Sequence, residues 1–96
     1  MSKNTIVVQI GNSDNKLTQK QWSDYYEQIE RVVDIFSKEV FFKGCSNPNS
    51  EYQNAAFIFS IEDNENDYDL IKMLVIIKNM FNQDSIAYQI GETDFI

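Results

Sequence analysis

A chain of 96 residues that is 43% hydrophobic and 14% aromatic has the material for one domain around one modest core. Fifteen acidic side chains against eight basic ones give a net charge of −7, which repels nucleic acid and anionic membranes at long range and argues against both as direct partners. A single cysteine excludes an intrachain disulfide and a cysteine-based zinc site, and the lack of histidine removes the commonest general base and metal ligand.

The start, Met1 to Thr5, leads directly into a strand-like run with no signal-peptide pattern, and no apolar stretch approaches the ~20 residues that cross a bilayer. A cytoplasmic location is the default expectation. Thr5 to Ile10 is β-branched and closed by Gly11-Asn12, which predicts the first strand. Thr18 stands three residues before Gln21, the spacing of a capping box. Trp22, Tyr25, Tyr26, Ile29, Val32, Val33 and Phe36 then recur at helical spacing, predicting an amphipathic helix over about 18–38. Glu39 to Gly44 and Ala55 to Ile61 read as the second and third strands, on either side of a loop holding the only proline. A second helix is expected from Asp67, with Tyr68, Ile71, Leu74, Val75, Lys78 and Phe81 at helical spacing and acids at its positive end. Met73, Ile76, Ile77 and Met80 widen its apolar face and predict deep packing. Ser85 to Ile90 is the fourth strand.

The order βαββαβ points to an α+β ferredoxin-like fold, with an antiparallel sheet in spatial order 4-1-3-2 and both helices on one face. That topology brings three polar loops to one end of the molecule. Asn12, Ser13, Asp14, Tyr52, Gln53, Asn54, Gln83 and Asp84 are the candidate ligand residues there, beside the N-terminus of the first helix. Their amides and hydroxyls carry donors and acceptors with little net charge, which suits a polar small molecule or a partner's loop. The same residue types also form turns for purely conformational reasons.

The opposite end collects Glu62, Asp63, Glu65, Asp67 and Asp69, a candidate surface for a basic partner protein and an imitation of phosphate spacing. A calcium loop starting at Asp63 fails, because Tyr68 and Leu74 occupy the positions of the turn glycine and the bidentate glutamate. On the sheet, Ile6, Val8, Ile10, Phe57, Phe59, Ile61, Ile86, Tyr88 and Ile90 share the phase expected to face the core. Val7, Gln9, Phe41, Lys43, Ala56, Ile58, Ser60, Ala87 and Gln89 share the other. That second face, or the tail Thr93 to Ile96 added as a strand, offers a route to a homodimer. The catalytic alternative is a nuclease-like carboxylate–metal enzyme built on Asp14 and Asp84 with Glu51 nearby. No cofactor is expected.

The segments from Gln9 through Gly11-Asn12-Ser13-Asp14 to Trp22, then Tyr52-Gln53-Asn54-Ala55, then Gln83-Asp84-Ser85-Ile86-Ala87, resemble a group of short bacterial and phage-associated proteins. The resemblance implies that the three segments travel together and brings no activity with it. The expectation is a small binding or inhibitor protein without catalysis, encoded by a phage or mobile element and acting in counter-defence. Its ligand would be nucleotide-like or a partner loop; the alternative is an acidic inhibitor docking on a basic, nucleic-acid-handling protein.

Overall fold

The computed structural model describes residues 3–12, 16–46, 53–62, 67–93 and 96. Four strands and two helices follow one another as β1 (Lys3–Gly11), α1 (Gln19–Phe36), β2 (Glu39–Cys45), β3 (Asn54–Ser60), α2 (Tyr68–Met80) and β4 (Ala87–Thr93). The strands form one antiparallel sheet in the order β2-β3-β1-β4. This is the ferredoxin-like arrangement, with both helices packed on one face of the sheet.

The central strands dictate the core. Ile6, Val8 and Ile10 of β1 alternate inward, as do Ala55, Phe57 and Phe59 of β3, and all are buried. Tyr25, Ile29, Val32 and Val33 of α1 cover them, joined by Leu70, Leu74 and Ile77 of α2. The capping box forms as expected. The Gln21 backbone N–H donates to the Thr18 hydroxyl at 3.2 Å, and the Thr18 N–H donates to Gln21 Oε1 at 2.9 Å. At the start of α2, the N-cap Asp67 carbonyl accepts the Ile71 N–H at 2.9 Å, but its side chain does not cap the helix. It accepts a 2.7 Å hydrogen bond from the Tyr88 hydroxyl, which ties the start of α2 to β4.

Three expectations are corrected. First, β2 carries a β-bulge: Val40 opposes Phe59 while Phe42 opposes Ile58, so Phe41 is the extra residue. A one-residue shift sends every later side chain to the opposite face. Lys43 therefore points to the helix side, where its ammonium reaches Glu30 at 3.3 Å and Asp34 at 3.8 Å on α1. Phe42 takes its place on the open face, with its ring over Gly44. Second, α2 is not deeply packed. It rests mainly on α1 and leaves Ile71, Val75, Ile76 and Met80 exposed. Third, β4 starts at Ala87 rather than Ser85, and Ile90, opposite Ile6 on the core phase, is 48% exposed because α2 does not extend over it.

Tyr25 is fully buried, and its hydroxyl has no hydrogen-bond partner among the described residues. Burial pushes this phenol up to about 12. An unfolded tyrosine titrates near 10, so the folded state binds the proton more tightly. The contribution to stability is full below pH ~10 and is lost as pH rises toward 12. Tyr88 shifts in the same direction, through burial and its bond to Asp67. Tyr25→Phe is expected to leave neutral-pH stability unchanged or raise it by up to ~1 kcal/mol, since it removes an unpartnered buried hydroxyl. It should also flatten the alkaline limb of urea unfolding between pH 10 and 12, and a limb identical to wild type would contradict this.

Candidate functional site

Residues from the three polar loops do meet at one end of the sheet: a chain of side-chain amides joins the first two, and the Lys16–Asp84 ion pair ties in the third. Asn12, which follows β1, is 2% exposed. Its backbone N–H donates to the Gln53 carbonyl at 2.8 Å. Its side-chain oxygen accepts the Leu17 backbone N–H at 2.9 Å, and its Nδ2 donates to the Leu17 carbonyl and to Gln53 Oε1, each at 3.0 Å. Both amide hydrogens of Asn12 are thus committed within the protein.

Gln53, just before β3, is 4% exposed and pairs reciprocally with Gln19 in the first turn of α1. Gln53 Nε2 donates to Gln19 Oε1 at 2.8 Å, and Gln19 Nε2 donates to Gln53 Oε1 at 3.2 Å. The Gln53 oxygen therefore receives two donors. The link from Asn12 through Gln53 to Gln19 clamps the exit of β1, the entry of β3 and the start of α1 into one unit. Asn12 and Gln53 are buried while Gln19 is exposed, so loss of a partner would strand a polar group at the first two.

The other predicted ligand residues are placed differently. Gln83 is buried in the α2–β4 turn, where its backbone N–H donates to the Lys78 carbonyl at 3.0 Å and its Nε2 to the Phe81 carbonyl at 3.1 Å. This turn contains Asn82 at a positive φ of 55°, a conformation asparagine tolerates better than most residues. Asp84 lies at the surface in an ion pair with Lys16 at 3.1 Å, which connects the loop after β1 to the turn before β4. Asn54 is exposed and uses its backbone to pair with Ser46: Asn54 N–H to Ser46 Oγ at 3.0 Å and Ser46 N–H to the Asn54 carbonyl at 2.8 Å. Ser13, Asp14 and Tyr52 lie outside the described residues.

Beside the amide clamp is a cleft of about 250 Å³, lined by Gln19, Trp22, Ser23, Tyr26, Cys45, Ser46 and Gln53. Gln19, Trp22, Ser23 and Tyr26 form one stripe of α1 at three- and four-residue spacing. Cys45 and Ser46, at the end of β2, make the opposite wall. The Tyr26 ring leans on Phe57 with centroids 5.2 Å apart. Burial, followed by the neighbouring Glu30 carboxylate and the Cys45 thiol, pushes the Tyr26 hydroxyl above the usual phenol range. It stays neutral at physiological pH, able both to donate and to accept. Of this lining, Gln53 and Ser46 belong to the polar loops that topology brings to this end, and Gln53 alone is among the candidate ligand residues. The readable signal for the rest was the polar and aromatic stripe on the first two turns of α1.

At the other end, Glu62 pairs with Lys38 at 3.6 Å and Asp67 is held by Tyr88. Asp69 is exposed in the first turn of α2, while Asp63 and Glu65 lie outside the described residues. Among the described residues, no three His, Cys, Asp or Glu side chains gather as a metal-ligating set. Asp14 and Glu51, two of the carboxylates considered for metal chemistry, lie outside them. No described helix is long and apolar enough to cross a membrane.

No family model and no curated protein matches the sequence. Among solved structures, the chain is similar to the uncharacterized protein TM1266 from Thermotoga maritima, at 9% identity and a TM-score of 0.46, over 98% of this chain and 100% of that one. It is also similar to a dimeric ferredoxin-like protein from an uncultured marine organism, at 11% identity and a TM-score of 0.44, over 100% of this chain and 93% of that one.

Proposed function

We propose that the protein is a non-catalytic binding module that captures a small polar group in the cleft beside the amide clamp. The observation that carries this reading is the clamp itself. The buried amides of Asn12 and Gln53, with the exposed amide of Gln19 bonded to them, fix the walls of one cleft before any ligand arrives, and such preorganisation lowers the entropic cost of binding. About 250 Å³ is below the usual range for a whole drug-sized ligand, so the cleft suits a nucleobase-sized ring or one side chain of a partner's loop. Within the cleft, Gln19 and Ser46 offer hydrogen bonds and Tyr26 an aromatic edge. Asn12 shapes the site from behind, a different role from the direct ligand contact expected of it, while Gln53 lines the cleft with its amide held by Asn12 and Gln19.

In this reading the protein sequesters a nucleotide-like signal or blocks a partner's loop, in keeping with a phage or mobile-element counter-defence role. A thermal-shift screen with nucleobases, nucleosides and mononucleotides should find a ligand that raises the melting temperature. Ser23→Trp, which fills the cleft from an exposed helix position, and Tyr26→Ala should each weaken that ligand by about tenfold or more. Normal binding by both variants would remove the cleft from consideration. Docking of the acidic end on a basic protein is the competing mode, supported by nine acids against two lysines in residues 49–96. It requires binding that weakens steeply with salt.

A further inference from the structure

A second surface stands apart from the cleft, along the outer edge of β4. Among the described residues β4 pairs with β1 alone, so its other edge presents unpaired backbone groups. The run from Ala87 to Thr93 contains no proline, lysine or bulge, the devices that normally blunt an edge. The opposite edge strand, β2, has both a bulge and Lys43. Next to the β4 edge, α2 and β4 enclose an apolar groove of about 300 Å³, with Ile71, Val75, Ile86 and Tyr88 in its walls and Lys78 at its rim. Ile90 continues this surface, half exposed on the helix side of the sheet.

We propose that a second copy of this chain covers this edge, β4 pairing antiparallel with β4 about a twofold axis perpendicular to the sheet. Such an interface is isologous and leaves the helices of both copies on one face of a continuous eight-stranded sheet. In the register that sets Gln89 opposite the second copy's Gln89, Tyr88 stands opposite the second copy's Ile90. Both exposed isoleucines are then covered by tyrosine, and α2 lies beside α2.

Charge selects the occupant. Extending that register sets Ile86 opposite the second copy's Glu92. Lys78, its ammonium 3.5 Å from the Gln83 carbonyl, lines the same groove as Ile86 and Asp84, and Glu92 shares the helix-side phase of Tyr88 and Ile90; in this register each Glu92 comes beside the other copy's Lys78. Lys72 and Lys78 are the only bases in residues 49–96, and both lie on α2. An antiparallel pairing of identical strands brings one of them to the acid at the far end of β4.

Analytical ultracentrifugation of the full chain across a dilution series at low salt should show a monomer–dimer equilibrium. Ile90→Lys should give a monomer. Lys78→Glu and Glu92→Lys should each weaken the dimer by about tenfold, and the double swap should restore it. All three positions are at least partly exposed, so these variants are expected to fold. A wild-type monomer at every concentration overturns the proposal. So does a dimer that survives Ile90→Lys, one that Phe42→Lys on the open sheet face dissociates instead, or a double swap no tighter than the single variants. None of these residues lines the polar-end cleft, so the outcome is independent of ligand capture there.

Discussion

Asn12→Ala is expected to lower the unfolding free energy by ~2–3 kcal/mol, a drop of roughly 10–20 °C in melting temperature for a domain of this size. The size of the effect follows from what is left behind. The Leu17 N–H loses its acceptor, the Leu17 carbonyl loses a donor, and Gln53 Oε1 loses one of its two. Asn12→Asp separates geometry from chemistry, because it keeps the shape and the acceptor while removing both donors. It sets a carboxylate against the Leu17 carbonyl and Gln53 Oε1, and should cost at least as much as alanine. Urea unfolding measures both, as a midpoint shift at constant slope. Asp84→Ala, at the same end, should cost under ~1 kcal/mol, since its ion pair with Lys16 is exposed. Equal effects at Asn12 and Asp84 would mean that the amide clamp holds nothing.

Phe57→Ala should be costlier still, ~3–5 kcal/mol, because the ring is fully buried between β1, β2 and α1 and packs on Tyr26. Phe42→Ala is the informative contrast. It is equally apolar by type and sits in the neighbouring strand, but the bulge at Phe41 turns it onto the open face, where it is 53% exposed. Its loss should cost under ~1 kcal/mol. A large effect at Phe42 would contradict the register, and with it the pairing of Lys43 with Glu30 and Asp34. Urea midpoints of the two variants settle the comparison.

These two cases show where sequence reasoning carried and where it stopped. The order of elements, the capping box at Thr18 and Gln21 and the inward phase of β1 and β3 were all readable, since β-branched alternation and helical spacing are local signals. The phase of β2 was not. Val40, Phe41 and Phe42 are three consecutive apolar residues, and no polar residue among them reveals the inserted one. The packing of α2 was misjudged for a related reason. The exposed side of the helix is only faintly marked: Asp69, Lys72 and Asn79 share it, but Ile76 interrupts them and Ile71, Met73, Val75 and Met80 flank them.

At the site, the convergence of the polar loops followed from topology, and contacts from Lys16 to Asp84 and from Asn12 to Gln53 realise it. The roles within it did not follow. An asparagine after a strand reads the same whether its amide faces solvent or closes a loop, and the burial of Asn12 depends on the path of the chain through Leu17 and Gln53. The α1 stripe of Gln19, Ser23 and Tyr26 was legible as spacing, but its aromatic members were absorbed into the core-facing pattern of the helix.

The central claim is that the amide clamp builds a receptive cleft between α1 and the end of β2. Two-dimensional ¹H–¹⁵N NMR titration with the best ligand from the screen tests it most directly. The predicted result is saturable shifts confined to the backbone of Gln19, Ser23, Tyr26, Cys45 and Ser46 and to the Gln19 and Gln53 side-chain amides, with the β4 edge unmoved. Shifts centred on the acidic end or along α2 and β4, with the cleft silent, would contradict it.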